Sequence, residues 1–128
     1  MKKMLLLALL TVGLATQAVA TDWVGLSFND DGVTYGDVDS RTHNRAWFED
    51  RYKKPQKYLN NKFIIQMKSL REMDCSNRRY RILTFAVYSK SAKLVDSYTP
   101  PYGSKWEYVF PETSGEYMYN FVCNHEPR

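Results

Sequence analysis

The feature that most constrains this chain is its pair of cysteines, Cys75 and Cys123, the only two in 128 residues. An intramolecular cystine can therefore take one form, joining the middle of the chain to a point close to its end. Such a link closes a loop of about 49 residues, for which the chain-entropy model gives roughly 4 kcal/mol of stabilisation. That is a large share of what a small domain has in total. Cys75 lies between two runs of β-forming residues, Lys68 to Asp74 and Arg78 to Tyr88, and the polar pair Ser76-Asn77 can turn the chain back between them. The pattern predicts a central hairpin with Cys75 at the end of its first strand.

Whether the thiols pair depends on compartment, and the first twenty residues bear on that. Lys2 and Lys3 make a positive start, Met4 to Leu14 is an apolar run too short to span a bilayer comfortably, and Ala18-Val19-Ala20 is a small-residue cleavage site. This is the pattern of an export leader, residues 1–20, cleaved after Ala20, the alternative being an uncleaved N-terminal anchor. No cysteine stands at the cleavage point, so no lipid anchor is expected. Removing 20 of the 128 residues leaves 108, residues 21–128, enough for a single domain with one core. An oxidising destination favours the Cys75–Cys123 cystine over two buried free thiols.

The chain carries 18 basic and 14 acidic residues. Loss of Lys2 and Lys3 with the leader leaves 16 against 14, a net charge of +2, which does not argue for a nucleic-acid partner. No interior segment is long and apolar enough to cross a membrane. A periplasmic, secreted or cell-surface protein is expected.

Trp23, Leu26 and Phe28 mark a first short strand, broken by Asn29-Asp30-Asp31-Gly32, whose Asp-Gly pair favours a tight turn. Ser27, Asn29, Asp31 and Gly32 fall at calcium-loop positions, but the first is a serine and the twelfth is Val38, so the turn reading is preferred. Val33 to Val38 reads as the return strand. From Asn44 to Tyr52 the alternation sets Ala46, Phe48 and Tyr52 inward and Arg45, Trp47, Glu49 and Arg51 outward. Lys53 to Lys62 then reads as a basic loop, because Pro55 forbids regular pairing. Phe63, Ile65, Met67 and Met73 mark one face of the next strand, with Ile64 and Leu70 on the other. The partner strand is apolar on both sides, and a sheet buried on both sides needs two covers.

Lys93 to Tyr98 and Trp106 to Phe110 are further short strands. Thr113 and Glu116 then have the spacing of a capping box, opening a helix of about ten residues with Met118, Phe121 and Val122 on one face and Cys123 in its last turn. The expected fold is α+β: a small antiparallel β-sheet of about six strands with a C-terminal α-helix tied to it by one disulfide.

No arrangement of residues points to catalysis. His43 and His125 are the only histidines and have no ligand cluster beside them, so no metal or cofactor is expected. There is no Gly-x-Ser-x-Gly turn. For a protein partner, the candidate surface is Lys53, Lys54, Lys57 and Lys62 interleaved with Tyr58, where cations steer an acidic partner and the aromatic ring anchors it. Arg71, Arg78, Arg79 and Arg81 lie close to Glu72 and Asp74 and are expected to form cross-strand ion pairs.

Across Trp23 to Cys123 the chain resembles the surface-adhesin protein E domain family, exported proteins of Gram-negative bacteria. The resemblance is carried by Asp31-Gly32 with Tyr35 and Val38-Asp39, Trp47 with Tyr52-Lys53 and Pro55-Gln56, and Lys68-Ser69 ahead of Glu72-Met73-Asp74-Cys75. It continues through Arg81-Ile82-Leu83, Tyr88-Ser89, Val95 to Pro101, Trp106, Pro111, Gly115-Glu116 and Val122-Cys123. It implies a non-enzymatic binding domain that adheres to host plasma or extracellular-matrix proteins such as vitronectin, laminin and plasminogen. The alternative is a periplasmic structural or envelope-maintenance role.

Overall fold

The computed structural model describes residues 22–124, so the expected leader and His125 lie outside the described residues. Seven strands form one antiparallel sheet: β1 (Trp23–Asn29), β2 (Gly32–Asp37), β3 (Arg45–Lys57), β4 (Phe63–Asp74), β5 (Arg79–Tyr88), β6 (Leu94–Tyr98) and β7 (Glu107–Tyr108). The first six lie side by side in chain order, and β7 pairs with β5 next to β6. Helix α1 (Ser114–Cys123) closes the fold. This is the α+β architecture expected, with one short strand more than the approximate six.

Local chemistry sets the boundaries. In the β1–β2 turn the Asn29 side chain accepts from the backbone N–H of Asp31 at 2.8 Å and of Gly32 at 3.2 Å. A Cβ on Gly32 would lie 2.1 Å from the Arg51 carbonyl oxygen, so only glycine lets β2 reach β3 at this point. The central hairpin turns through residues 75–78 as read from Ser76-Asn77, with Arg78 at φ 52°. Thr113 caps α1, its hydroxyl accepting from Glu116 N–H at 3.3 Å, but the Glu116 carboxylate returns to the N–H of Glu112 rather than to the cap residue itself.

The core sits between α1 and one end of the sheet. Phe48 and Ala46 are wholly buried there with Met73, Met118, Tyr119, Phe121 and Val122. Phe121 meets Phe48 edge-on at 5.9 Å and lies so close to β2 that a Cβ on Gly36 would stand 2.8 Å from its ring. Cys75 and Cys123 form the expected disulfide, with Cα atoms 5.7 Å apart, and Tyr119 donates to the Cys75 carbonyl at 2.7 Å. The last turn of the helix is thus held to the hairpin both covalently and by a hydrogen bond.

The second cover of the sheet is made by its own side chains. Trp47 pairs with Leu70 on the face away from α1, in the same row as Glu49. Glu49 was expected to face outward to solvent, yet it is only 3% exposed, because its carboxylate accepts from Arg51 and Gln66. A charge paired in this way tolerates burial. Beside it, the Lys68 ammonium stands 6.0 Å from the Trp23 ring and 5.6 Å from the Tyr88 ring.

Candidate functional site

The stretch read as a loop from Lys53 to Lys62 is a different object. Strand β3 continues through Lys53, Lys54 and Lys57, and β4 returns beside it, with Gln56 opposite Ile64 and Lys57 opposite Phe63. Pro55 is accommodated because the register shifts between Arg51 and Gln56, a bulge that spares the missing N–H. A single 3-10 turn, Leu59–Asn61, closes this arm, with Asn60 and Asn61 at φ 52° and 62°, a conformation asparagine tolerates better than most residues. At about 3.3 Å per residue, Lys57 lies some 30 Å along β3 from Phe48.

The four lysines expected at the site, Lys53, Lys54, Lys57 and Lys62, are all exposed on this arm. No ion pair joins any of them to a described residue. Tyr58, the aromatic anchor expected among the lysines, also has a partner within the fold. Its ring is partly covered and its hydroxyl donates to Asp96 of β6 at 3.0 Å, fastening the arm to the edge of the sheet. Burial, and then the bond to Asp96, holds its pKa above the ordinary tyrosine value. The exposed apolar groups of the arm are instead Leu59 and Phe63. Phe63 was placed with Met73 on a common buried face; it is exposed because it lies beyond the reach of the helix, and the buried residue at that end is Ile64.

The structure adds residues that spacing along the chain could not reveal. Because Gln66 pairs with Tyr88 and Tyr88 with Leu94, the β5–β6 turn, residues 89–93, comes round beside the arm. A shallow open groove of about 470 Å³ is lined by Pro55 and Phe63 from the arm and by Ser89, Lys90 and Ser91 from that turn. Lys90 and Lys93 are exposed there as well. On the other flank the Lys53 N–H donates to the Asp31 carbonyl at 2.9 Å, which sets Lys53 beside the acidic Asp30-Asp31 turn. The unopposed positive charge is therefore centred farther out, on Lys54, Lys57, Lys62, Lys90 and Lys93.

The arginines behave differently. Arg79 pairs with Asp74 at 2.6 Å and Arg81 with Glu72 at 2.9 Å, as their spacing predicted. The bond from Arg79, with help from Asn77, holds the Asp74 carboxyl below its usual pKa. Arg78 reaches Glu116 of the helix at 3.2 Å and Arg71 approaches Asp50 at 3.8 Å. Trp106 lies against both Arg79 and Arg81, at 5.1 and 4.4 Å. These charges belong to the scaffold.

A smaller cavity of about 200 Å³ lies between Thr34, Asp50, Tyr52 and Ser114. The Asp50 carboxylate accepts from the Thr34 hydroxyl at 2.6 Å and faces Arg71, which also donates to Ser69 at 2.9 Å. Burial raises the Tyr52 pKa, and Asp50 adds to the rise. Thr34, Asp50, Arg71 and Ser69 thus satisfy one another, which fits a structural network beside the start of α1. Among the described residues no cluster of three His, Cys, Asp or Glu side chains is arranged to hold a metal, and His43 is exposed.

The model of a family described as Surface-adhesin protein E matches residues 23–124. The chain belongs to this family. No curated protein and no solved structure matches it significantly. The matched span covers the whole sheet, α1 and both cysteines, so this adhesin-family domain and the described fold coincide. No helix among the described residues is long and apolar enough to cross a membrane.

Proposed function

We propose that this protein is an exported, non-enzymatic adhesion domain that recognises a protein outside the producing cell through the basic arm of its sheet. By family, the partners are host matrix or plasma proteins of the vitronectin, laminin and plasminogen kind. The reading is carried by one observation: in a member of an adhesin family, four exposed lysines with no ion pair to a described residue gather on a projecting arm, whereas Arg71, Arg78, Arg79 and Arg81 are consumed in ion pairs. Unpaired surface cations raise encounter rates with acidic partners, and a nearby exposed ring such as Phe63 supplies an apolar contact once docked. The leader expected over residues 1–20 would deliver the domain to the compartment where its cystine forms.

Replacing Lys53, Lys54, Lys57 and Lys62 together by alanine tests the arm. Capture by immobilised laminin, vitronectin or plasminogen should fall at least tenfold while the far-ultraviolet dichroism is unchanged. Undiminished capture would remove the arm from consideration. Protein found only in the periplasm, inaccessible to protease on intact cells, would favour the envelope role instead.

A further inference from the structure

The lysines of the arm are not the whole of the charged surface. Lys90 and Lys93 come from a turn about thirty residues away in sequence and meet the arm only through the pairing of β4, β5 and β6. Between the two segments lies the open groove, with the flat ring of Phe63 and the pyrrolidine of Pro55 exposed in it and the Ser89 and Ser91 hydroxyls hydrogen-bonded to each other at 3.0 Å at its side. The Asp96 carboxylate near this end accepts from the Tyr58 hydroxyl.

We propose that this groove and its lysines bind a sulfated polysaccharide of the glycosaminoglycan type. The inference rests on the reading of the arm as the recognition surface and adds the chemistry of a ligand for it. Three features select such a chain. Five lysines at one end, on a protein whose charge elsewhere is nearly balanced, match a polymer that carries anionic groups in every repeat. Lysine offers a compact, well-hydrated point charge on a flexible stem, which suits sulfate groups presented at varying angles. The Phe63 ring presents a flat apolar face of the kind on which the C–H face of a sugar rests, Pro55 adds apolar surface beside it, and the mutually bonded serine hydroxyls keep lone pairs that accept from the sugar's hydroxyls. An acidic peptide would use the charge and Phe63 as well, so polyglutamate is the control that separates the two.

The test uses the purified protein and a heparin octasaccharide, with binding followed by titration over a range of salt. Tight, salt-sensitive binding is expected, and the Lys90→Gln, Lys93→Gln double variant should bind five- to tenfold more weakly. By counterion release its salt dependence should be shallower by about two charges. De-sulfated heparin and polyglutamate should bind at least tenfold less than heparin, and Phe63→Ser should weaken heparin without changing the salt slope. Polyglutamate binding as well as heparin would overturn the polysaccharide in favour of an acidic protein segment. Heparin binding that ignores Lys90 and Lys93 would overturn the site. Failure to bind heparin, with laminin capture still dependent on Lys53, Lys54, Lys57 and Lys62, would overturn this inference and leave the adhesion reading intact.

Discussion

Strand β3 belongs to two different environments. Its first residues, Ala46 and Phe48, are wholly buried beneath α1, where the cystine and the Tyr119 hydroxyl fasten the helix to the central hairpin. Its last residues, Lys53 to Lys57, are exposed, irregular in register and free of any helix. One backbone thus passes from a region that holds the fold to a region that offers side chains to solvent. With the arm as the proposed recognition surface, stability and recognition lie at opposite ends of one sheet without a second domain. Changes at one end should leave the other nearly untouched, since distant sites act independently.

The largest effect is expected from the buried end. Phe48→Ala should lower stability by about 3–5 kcal/mol in a denaturant titration, because it empties the space between Ala46, Met73 and Phe121. Phe63→Ala, on the neighbouring strand but exposed, should change it by less than about 0.5 kcal/mol. Equal losses at the two phenylalanines would break the comparison. Replacing Cys75 and Cys123 together by serine should remove about 2–4 kcal/mol, since the cystine spans 48 residues of chain. Thermal unfolding should then begin earlier by roughly 10–20 °C.

A smaller effect should separate arm from core by pH. Tyr58 is bonded to Asp96, and its folded pKa lies above the ordinary tyrosine value. A raised pKa means that the protonated hydroxyl contributes stability in full below the unfolded value of about 10 and loses it as pH climbs through the folded value. Tyr58→Phe should cost about 0.5–1.5 kcal/mol at neutral pH. The deficit should shrink in alkali, where the wild-type bond is lost as well. A pH-independent deficit would mean that the hydroxyl does not fasten the arm.

Much of the buried end was legible in the sequence. The Ser76-Asn77 turn, the inward Ala46 and Phe48 and the helix around Met118, Phe121 and Val122 follow from local chemistry and short periodicities, which act within a few residues, and the cystine follows from there being only two cysteines to pair. The arm was less legible. Pro55 suggested that pairing stops at Tyr52, but a bulge absorbs the proline and β3 runs on to Lys57. Glu49 looked like an outward charge because nothing along the chain announces that Gln66 of the next strand will cap it. Lys90 and Lys93 could not be joined to the arm by spacing, because strand register alone brings them there. Tyr58 was read only as an anchor for a partner, because nothing along the chain announces that Asp96, 38 residues on, will accept from its hydroxyl.

The most direct test of the divided sheet is amide hydrogen exchange along β3, on the free protein and then with the heparin octasaccharide bound. Slow exchange is expected at Ala46 to Phe48 in both states, and fast exchange at Lys54 to Lys57 that slows when the oligosaccharide binds. Protection gained around α1 instead, or an arm as slow as the core before any ligand is added, would contradict the divided sheet.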